Sequence, residues 1–304
     1  MRRTHFTIAL TLSLGLALAA CGGDGRAETP DTLKLIAHDS FAAGVDETTF
    51  AAFTDETGIT VEVVAARDAG SMVNQVVLTK GNPIADVLFG VDDTFLSRAL
   101  DEGVFTPYES RNIDSVTDQL RDVEGTVTPI DFGDVCFNYD KDWFETSGLA
   151  IPDELADLEE TSYAPLVTVE HPATSSPGLA FLLATVDTFG EEGWLDWWET
   201  MRDAGINVVN DWDTAYYSDF TRYGGDSPIV MSYASSPPAE VIFADEPLDE
   251  APTGVIEAGC YRQVEYAGIL EGTAYPEAAG ELIDFMLSPE FQETIPLTWF
   301  VFPA

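Results

Sequence analysis

Residues 59–89 read ITVEVVAARDAGSMVNQVVLTKGNPIADVLF, and they contain two strand patterns separated by a helix pattern. Residues 59–66 alternate and are rich in β-branched side chains, which predicts a strand. Residues 71–80 have amphipathic helical spacing and stop at Gly81, and residues 85–89 form a second apolar run. Strand, helix and strand at this spacing predict parallel strands joined by a right-handed crossover. The predicted fold class is therefore α/β.

The same alternation continues on both sides of this unit. Further strands are predicted at residues 33–37, 135–139, 166–169, 229–233 and 261–270. Further helices are predicted at residues 48–57, 153–158, 179–189, 194–204 and 275–287. Residues 240–257 are polar and proline-rich, which predicts a surface loop.

The chain is strongly acidic. Its 304 residues include 13 Lys plus Arg against 54 Asp plus Glu, a formal net charge of -41. Binding to nucleic acid needs a basic face for the phosphates, so this class of function is excluded. The acids are spread along the whole chain, which indicates a solvated acidic surface, and the charge also suits a cationic ligand.

The first 31 residues read as a targeting segment and a tether. Residues 1–20 resemble a signal peptide, with a basic start and an apolar run too short to span a bilayer. The run ends in LAAC at residues 18–21, which resembles a bacterial lipobox and implies lipid attachment at Cys21. The alternative is an ordinary signal peptide with a chance cysteine. We expect an exported protein, held at the cell membrane by its lipid alone, with residues 21–31 as a flexible tether.

Two cysteines remain in the mature chain, Cys136 and Cys260. Export places them in an oxidising compartment, which favours a disulfide. Both lie in or beside apolar runs that suit neighbouring strands. A single disulfide and a pair of buried thiols both fit this pattern.

Motifs for catalysis are absent from the sequence. No Gly-x-Ser-x-Gly elbow, P-loop or His-Glu-x-x-His occurs. Of the three histidines, one lies in the predicted signal peptide, which leaves too few for a multi-histidine metal site. The acid pairs Asp92–Asp93 and Asp211 with Asp213 have no spacing that assigns them as acid and base. We therefore predict neither an enzyme, nor a cofactor, nor a bound metal.

Polar and aromatic residues instead follow the predicted strands. In VVNDWDTAYY, residues 208–217, an apolar run breaks at Asn210–Asp211 and Trp212 follows. Asp213 or Thr214 is then expected to cap a helix carrying Tyr216 and Tyr217. A tryptophan there is also typical of a core plug. Loops at strand ends of two α/β lobes converge on one crevice, which suits a flat organic cation. The candidates are His38, Ser40, Asp68, Thr174, Ser175, Trp212, Tyr216, Tyr233 and Ser235.

Ten stretches together resemble one known family. They are DSFA (39–42), the strand and acid ITVEVVAARD (59–68), ADVLFGVDD (85–93), PIDFG (129–133), NYDK (138–141), TSSPGLAFLL (174–183), DWDTAY (211–216), IVMSYASSP (229–237), YRQVEYAG (261–268) and SPEFQETIP (288–296). In this order they resemble the substrate-binding protein of bacterial thiamine ABC transporters. The resemblance covers nearly all of the mature chain, and DSFA, TSSPG, DW-x-x-AY and SY-x-x-SP are its most specific parts.

The resemblance implies a monomeric, two-lobed, hinge-closing fold of the type II periplasmic-binding-protein kind. Its two crossover strands would divide the chain into lobe 1, residues 32–130 plus 262–304, and lobe 2, residues 131–261. It also implies a function, which is to capture thiamine or its phosphate esters and deliver them to an ABC permease.

Ligand contacts at Asp68, Ser175, Trp212 and Tyr233 are implied in the same way. The aromatic rings would stack on the ligand, Asp68 would balance its charge, and Ser175 would lie at its polar or phosphate end. Two positions depart from the family: His38 replaces a tyrosine, and the family's C-terminal tryptophan falls on Trp299 or Phe300, depending on the register.

Three alternatives stay open. The adjacent tyrosines Tyr216 and Tyr217 resemble those of related ferric-ion receptors. A secreted carboxylate-based hydrolase would need two strand-end acids within catalytic reach. A purely structural envelope lipoprotein would need no ligand cavity.

Overall fold

The computed structural model describes residues 29–121 and 125–304. The predicted signal peptide, Cys21 and the tether as far as residue 28 lie outside the described residues. Within the described ranges, no helix is both long and apolar enough to cross a membrane.

The described residues form one ten-stranded sheet with helices packed around it. The strands are β1 (Thr32–Ala37), β2 (Thr60–Ala65), β3 (Val87–Asp92), β4 (Phe105–Thr106), β5 (Thr128–Asp140), β6 (Val167–Glu170), β7 (Asn207–Val209), β8 (Ile229–Tyr233), β9 (Thr253–Leu270) and β10 (Phe302–Pro303). The helices are α1 (Asp39–Gly44), α2 (Ala51–Thr57), α3 (Ala69–Leu78), α4 (Asp93–Asp101), α5 (Lys141–Ser147), α6 (Ser176–Ala204), α7 (Ser236–Ile242), α8 (Pro276–Met286), α9 (Pro289–Gln292) and α10 (Ile295–Thr298).

The strand order is β2-β1-β3-β9-β5-β8-β6-β7, with β4 on β9 and β10 on β5. Strands β1, β2 and β3 are parallel, and so are β6, β7 and β8. Between these sets, β5 and β9 run antiparallel to each other and to their outer neighbours. The predicted α/β class and its parallel strands are confirmed, and two long strands join the two parallel sets.

Buried apolar side chains form two large clusters, one on each side of the long strands. The first cluster takes its residues from 33–130 and 264–301, and the second from 135–256. The chain therefore passes between clusters inside β5 and β9. This is the two-lobed type II arrangement that the sequence predicts, and the exact lobe boundaries stay a prediction.

Several elements differ from the sequence-based expectation. The helix predicted at residues 153–158 is a short 3-10 helix at Leu155–Glu159. Strand β9 begins at Thr253, inside the predicted surface loop, because its polar first half pairs with the second half of β5. Strand β3 continues to Asp92, beyond the expected end at Phe89. The helices predicted at 179–189 and 194–204 are two parts of α6, interrupted where Gly190 has a φ of 72°.

A disulfide joins the two long strands. Cys136 and Cys260 are bonded, with their Cα atoms 4.5 Å apart and a sequence separation of 124. Next to them, Val135 of β5 pairs with Tyr261 of β9. Of the two alternatives that the sequence left open, the structure has the disulfide.

Candidate ligand-binding cavity

A cavity of about 270 Å³ lies where the two clusters meet. Its walls come from the carboxyl ends of β1 and β8, the first turns of α6 and α7, the middle of β9 and the C-terminal segment. The predicted site residues that line it are His38, Ser40, Asp68, Trp212, Tyr233, Ser235, Trp299 and Phe300. The strand-end loops thus bring six predicted residues to one cavity, and the C-terminal segment adds Trp299 and Phe300.

Three other predicted residues lie outside its lining. Ser175 is fully buried directly before α6, and Thr174 lies in a neighbouring depression, where its hydroxyl donates to the Asn210 carbonyl oxygen at 2.8 Å. Tyr216 is also buried, and its hydroxyl donates to Glu240 at 2.6 Å. Ligand contact by these three residues remains a prediction.

Trp212 is held by a hydrogen bond and by a stacked ring. Its Nε1 donates to the Ser232 hydroxyl at 3.0 Å, and the Tyr216 ring stacks on it with centroids 5.0 Å apart. Asp211, rather than the predicted Asp213 or Thr214, caps the following turn by accepting the Thr214 N–H at 2.8 Å. A π-helical turn, Thr214–Asp219, then follows. Because Tyr216 covers one face of the indole, its opposite face is the one left for a ligand.

Tyr233 is placed by a close backbone approach. A side chain at Gly133 would meet the Tyr233 ring at 2.9 Å, so the glycine makes room for it. The Tyr233 hydroxyl donates to Gln263 Oε1 at 3.1 Å, and Asn138 Nδ2 donates to the Tyr233 carbonyl at 2.9 Å. Contacts with β5 and β9 therefore fix the Tyr233 phenol in the cavity wall.

His38 faces a buried carboxylate at the end of β1. Its Nδ1 accepts the Phe41 N–H at 3.2 Å, and its Nε2 lies 3.3 Å from Glu265 Oε1. Burial lowers the pKa of His38, but Glu265, Asp68 and Asp92 outweigh burial and raise it above its usual value. Gly90 is needed beside it, because a Cβ there would lie 2.3 Å from the imidazole ring.

Glu265 shares its buried position with Asp131. Burial and the nearby Glu265 raise the pKa of Asp131 well above its usual value, whereas His38 outweighs burial at Glu265 and lowers its pKa. Trp299 Nε1 donates to Asp131 Oδ2 at 2.9 Å. Of the two acids, Glu265 therefore ionises more readily than Asp131.

Unlike Glu265, the nearby carboxylates of Asp68, Asp92 and Glu170 have raised pKa values. Burial raises the pKa of Asp68 to about 6, partly offset by His38 and by the Ser175 hydroxyl, which lies close without a hydrogen bond of normal geometry. Burial likewise raises the pKa of Asp92 to about 7. Glu170 is fully buried, and neither of its carboxylate oxygens has a hydrogen-bond partner. Burial that is not compensated by hydrogen bonds makes the ionised forms costly.

Both candidates for the C-terminal aromatic position line the cavity. Trp299 packs edge-on against Phe41, with centroids 4.8 Å apart, and is almost fully buried. Phe300 has a φ of 64°, and its ring lies 4.8 Å from Phe243 of the second lobe. Trp299 and Phe300 therefore both contact the cavity, whichever of them aligns with the family's tryptophan.

Several lining residues were not among the predicted ones, namely Asp213, Tyr217, Ser236, Gln263 and Glu265. The run YRQVEYAG was recognised as a strand, and its period of two places Tyr261, Gln263 and Glu265 on one face. That alternation was the available signal. To use this signal, one would have to know that β9 is a central strand and that its face with Gln263 and Glu265 points into the ligand crevice.

The arrangement suits binding without reaction. Aromatic rings provide flat surfaces, and buried carboxylates provide negative charge next to them, which together hold an organic cation. Within residues 29–121 and 125–304, no group of three or more His, Cys, Asp or Glu side chains is arranged to hold a metal ion.

Comparison with known proteins gives the same type of protein. Residues 82–304 match the family described as bacterial extracellular solute-binding protein. The chain is 30% identical to the thiamine-binding periplasmic protein of Escherichia coli over 279 residues, which cover 90% of this chain and 80% of the relative.

Solved structures agree. A periplasmic thiamin binding protein superimposes with a TM-score of 0.79 at 28% identity, covering 90% of this chain and 83% of that chain. Iron-bound HitA from Pseudomonas aeruginosa reaches a TM-score of 0.72 at 20% identity, covering 90% and 86%, which shows a shared fold alone. The chain belongs to the bacterial extracellular solute-binding proteins and is a homologue of the thiamine-binding periplasmic proteins.

Proposed function

We propose that this extracytoplasmic protein captures thiamine in the cavity and delivers it to an ABC permease. The observation that carries the proposal is the combination of Trp212 and Tyr233 with the carboxylates of Asp68 and Glu265 in one cavity. Thiamine has two flat rings, one of them a permanent cation, and such a ligand matches aromatic walls beside negative charge. The homology to thiamine-binding periplasmic proteins supports the same ligand.

In the proposed mode, the rings of thiamine stack against the free face of Trp212 and against Tyr233. Asp68 accepts hydrogen bonds or offsets the positive charge, and Ser235 and Gln263 orient the polar edges. The mature protein acts as a monomer, attached to the cell membrane through lipid on Cys21. The monomeric state and the lipid anchor are inferred from the sequence alone, and Cys21 itself lies outside the described residues.

Isothermal titration with thiamine tests the proposal directly. We expect measurable heat and a rise in melting temperature with the wild-type protein. Trp212→Ala and Tyr233→Ala should each weaken binding by about 1–2 kcal/mol, because each removes a stacking surface. Absence of heat and of thermal stabilisation at high thiamine concentration would overturn the proposal, and unchanged affinity in both variants would overturn the stacking mode.

A matched control is available outside the cavity. Trp198 is half-buried in the second cluster, and its Nε1 donates to the Thr185 hydroxyl at 2.9 Å. Trp198→Ala should lower the melting temperature and leave the affinity for thiamine unchanged. A loss of affinity as large as that of Trp212→Ala would mean that the effect is not local.

The alternatives have less support. An iron site built on the adjacent tyrosines needs a free phenol at Tyr216, but that hydroxyl donates to buried Glu240. A hydrolase built on Asp211 and Asp213 needs both acids free, but Asp211 caps the turn that follows Trp212. An aromatic-lined cavity also argues against a purely structural lipoprotein.

A further inference from the structure

The two lobes touch through their backbones on one side of the cavity. Gly70, in the first turn of α3, donates its N–H to the carbonyl oxygen of Thr174 at 3.0 Å. A Cβ at Gly70 would lie 2.5 Å from the carbonyl oxygen of Ala173, so the approach is close. Gly70 lies among residues of the first cluster and Thr174 among residues of the second. The structure therefore has the lobes in a closed arrangement.

A second contact between the lobes is made by two phenylalanine rings. Phe243 directly follows α7, and its N–H closes the last turn by donating to the Ala239 carbonyl at 2.9 Å. The ring of Phe243 is half exposed, and it packs on the ring of Phe300 with centroids 4.8 Å apart and 56° between the planes. Both neighbours of Phe300 in sequence, Trp299 and Val301, belong to the first cluster. The pair therefore links the two lobes outside the long strands.

The backbone on both sides of Phe300 is anchored to the first lobe. On one side, Trp299 donates its Nε1 hydrogen to Asp131. On the other side, Phe302 of β10 pairs with Phe132 of β5. Between these anchors Phe300 has a φ of 64°, a left-handed conformation that is uncommon for residues other than glycine. The anchored backbone thus places the Phe300 ring against Phe243.

The phenylalanine pair lies beside the cavity, but only one of its members lines it. Phe300 is part of the cavity lining, and Phe243 is not. Both rings line an adjoining depression of about 240 Å³, which shares Trp212 and Tyr217 with the cavity. A substitution at Phe243 therefore changes the contact between the lobes without removing a wall of the cavity.

We infer that Phe243 is a positioning residue, which holds the lobes closed over the ligand by packing on Phe300. The inference rests on the proposed function, because it concerns release of the same ligand. An aromatic pair that forms only when the lobes touch stabilises the closed state relative to the open state. The ligand enters and leaves while the lobes are apart. The pair should therefore slow dissociation and leave association unchanged.

Stopped-flow tryptophan fluorescence with thiamine measures both rates. Phe243→Ala should raise the dissociation rate constant about fivefold, as expected for the loss of one aromatic pair, and leave the association rate constant within about twofold. Phe243→Tyr keeps a ring at this position and should keep the wild-type rates. Ile242→Ala is the matched control, because Ile242 is an exposed neighbour that lines neither the cavity nor the depression. It should change neither rate.

A double-mutant cycle tests whether Phe243 acts through Phe300. Phe300→Ala removes part of the cavity wall and should itself weaken thiamine binding. In that background Phe243→Ala should no longer speed dissociation, because the partner ring is already absent. If Phe243→Ala speeds dissociation as much in the Phe300→Ala background as in the wild type, the contact with Phe300 is not the cause and the inference is wrong.

The outcomes also separate the inference from the proposed function. If the wild type binds thiamine and Phe243→Ala releases it no faster than Ile242→Ala does, the inference is wrong and the proposed function stands. If the wild type does not bind thiamine, the proposed function fails, and X-ray scattering of the ligand-free proteins decides the inference. A larger radius of gyration for Phe243→Ala than for Ile242→Ala would support it, and equal radii would overturn it.

Discussion

Two sets of buried carboxylates in this molecule have opposite surroundings. Asp284 of α8 accepts hydrogen bonds from the hydroxyls of Ser110 at 2.6 Å and Tyr108 at 2.9 Å, and from Arg111. Burial alone would raise the pKa of Asp284, but these donors hold it below its usual value. Around the cavity, burial raises the pKa of Asp68 to about 6 and of Asp92 to about 7.

The difference separates a structural role from a binding role. A buried carboxylate whose oxygens are all satisfied stabilises the fold in its ionised form. A buried carboxylate with an unpaired oxygen is costly to ionise until a cation or a donor reaches it. Asp284 therefore holds the loop that contains Tyr108, Ser110 and Arg111 against α8. The cavity acids, by contrast, are costly to ionise in the empty protein, and a cationic ligand that pairs with them removes this cost.

Removing Asp284 should have the largest effect on stability. Asp284→Ala leaves Tyr108 and Ser110 without their acceptor and removes the charge-assisted hydrogen bond to Arg111, so we expect a loss of about 3 kcal/mol in unfolding free energy. Urea unfolding measures this loss. Affinity for thiamine should stay within twofold, and a parallel loss of binding would show that the loop and the cavity are coupled.

The two sets should also respond oppositely to pH. Asp92 has a raised pKa in the folded state, so its contribution is fully present below pH 4 and is lost as pH rises through about 7. Asp284 has a lowered pKa, so its contribution is present above pH 4 and is lost on further acidification. We expect Asp92 alone to cost the ligand-free protein about 3 kcal/mol of stability between pH 5 and pH 8.

Urea unfolding across that pH range checks the sign. Asp92→Asn should reduce the slope, since asparagine does not titrate and still accepts from the Thr94 hydroxyl, which is 2.7 Å from the carboxylate. Asp68 and Glu170, whose pKa values burial also raises, should account for the slope that remains. Stability that rises between pH 5 and pH 8 would contradict the assignment of a raised pKa to Asp92.

A smaller effect, on binding alone, is expected at Asp68. Asp68→Asn should weaken thiamine binding by about tenfold, near 1.4 kcal/mol, because it removes a charge next to the cation. Since burial raises the pKa of Asp68 to about 6, wild-type affinity should rise with pH up to that value and then level off. Titrations at pH 5 and pH 7.5 test this, and a variant that keeps the wild-type pH dependence would assign it to another group.

The sequence predicted the fold well because its signals are local. Alternation in β2, the glycine stop after α3 and the apolar run of β3 each lie within about ten residues, and short-range periodicity determines them. The polar half of β9 was missed, because its strand conformation comes from pairing with β5 and not from its composition.

The site was predicted less completely than the fold, because the sequence does not show which face of a strand or turn points into the cavity. Asp68, Trp212 and Tyr233 lie at strand ends, where topology alone brings side chains together. Glu265 and Gln263 lie in the middle of β9, and only the assembled sheet turns their face to the cavity. Tyr216 and Tyr217 were placed on an ordinary helix, but the turn is π-helical, so Tyr217 reaches the cavity and Tyr216 lies behind Trp212.

Substitutions at Tyr216 are expected to have the smallest effects. They can separate a role in stability from a role in binding, because the ring and the hydroxyl of Tyr216 have different partners. The ring supports Trp212, with an angle of 13° between the planes, and the hydroxyl donates to Glu240, which also pairs with Arg222 at 3.0 Å. Tyr216→Phe keeps the ring, so affinity for thiamine should change less than twofold while stability falls by about 1 kcal/mol. Tyr216→Ala removes the support of the indole and should weaken binding about fivefold. If Tyr216→Phe weakens binding as much as Tyr216→Ala does, the hydroxyl itself contacts the ligand and the residue belongs to the cavity after all.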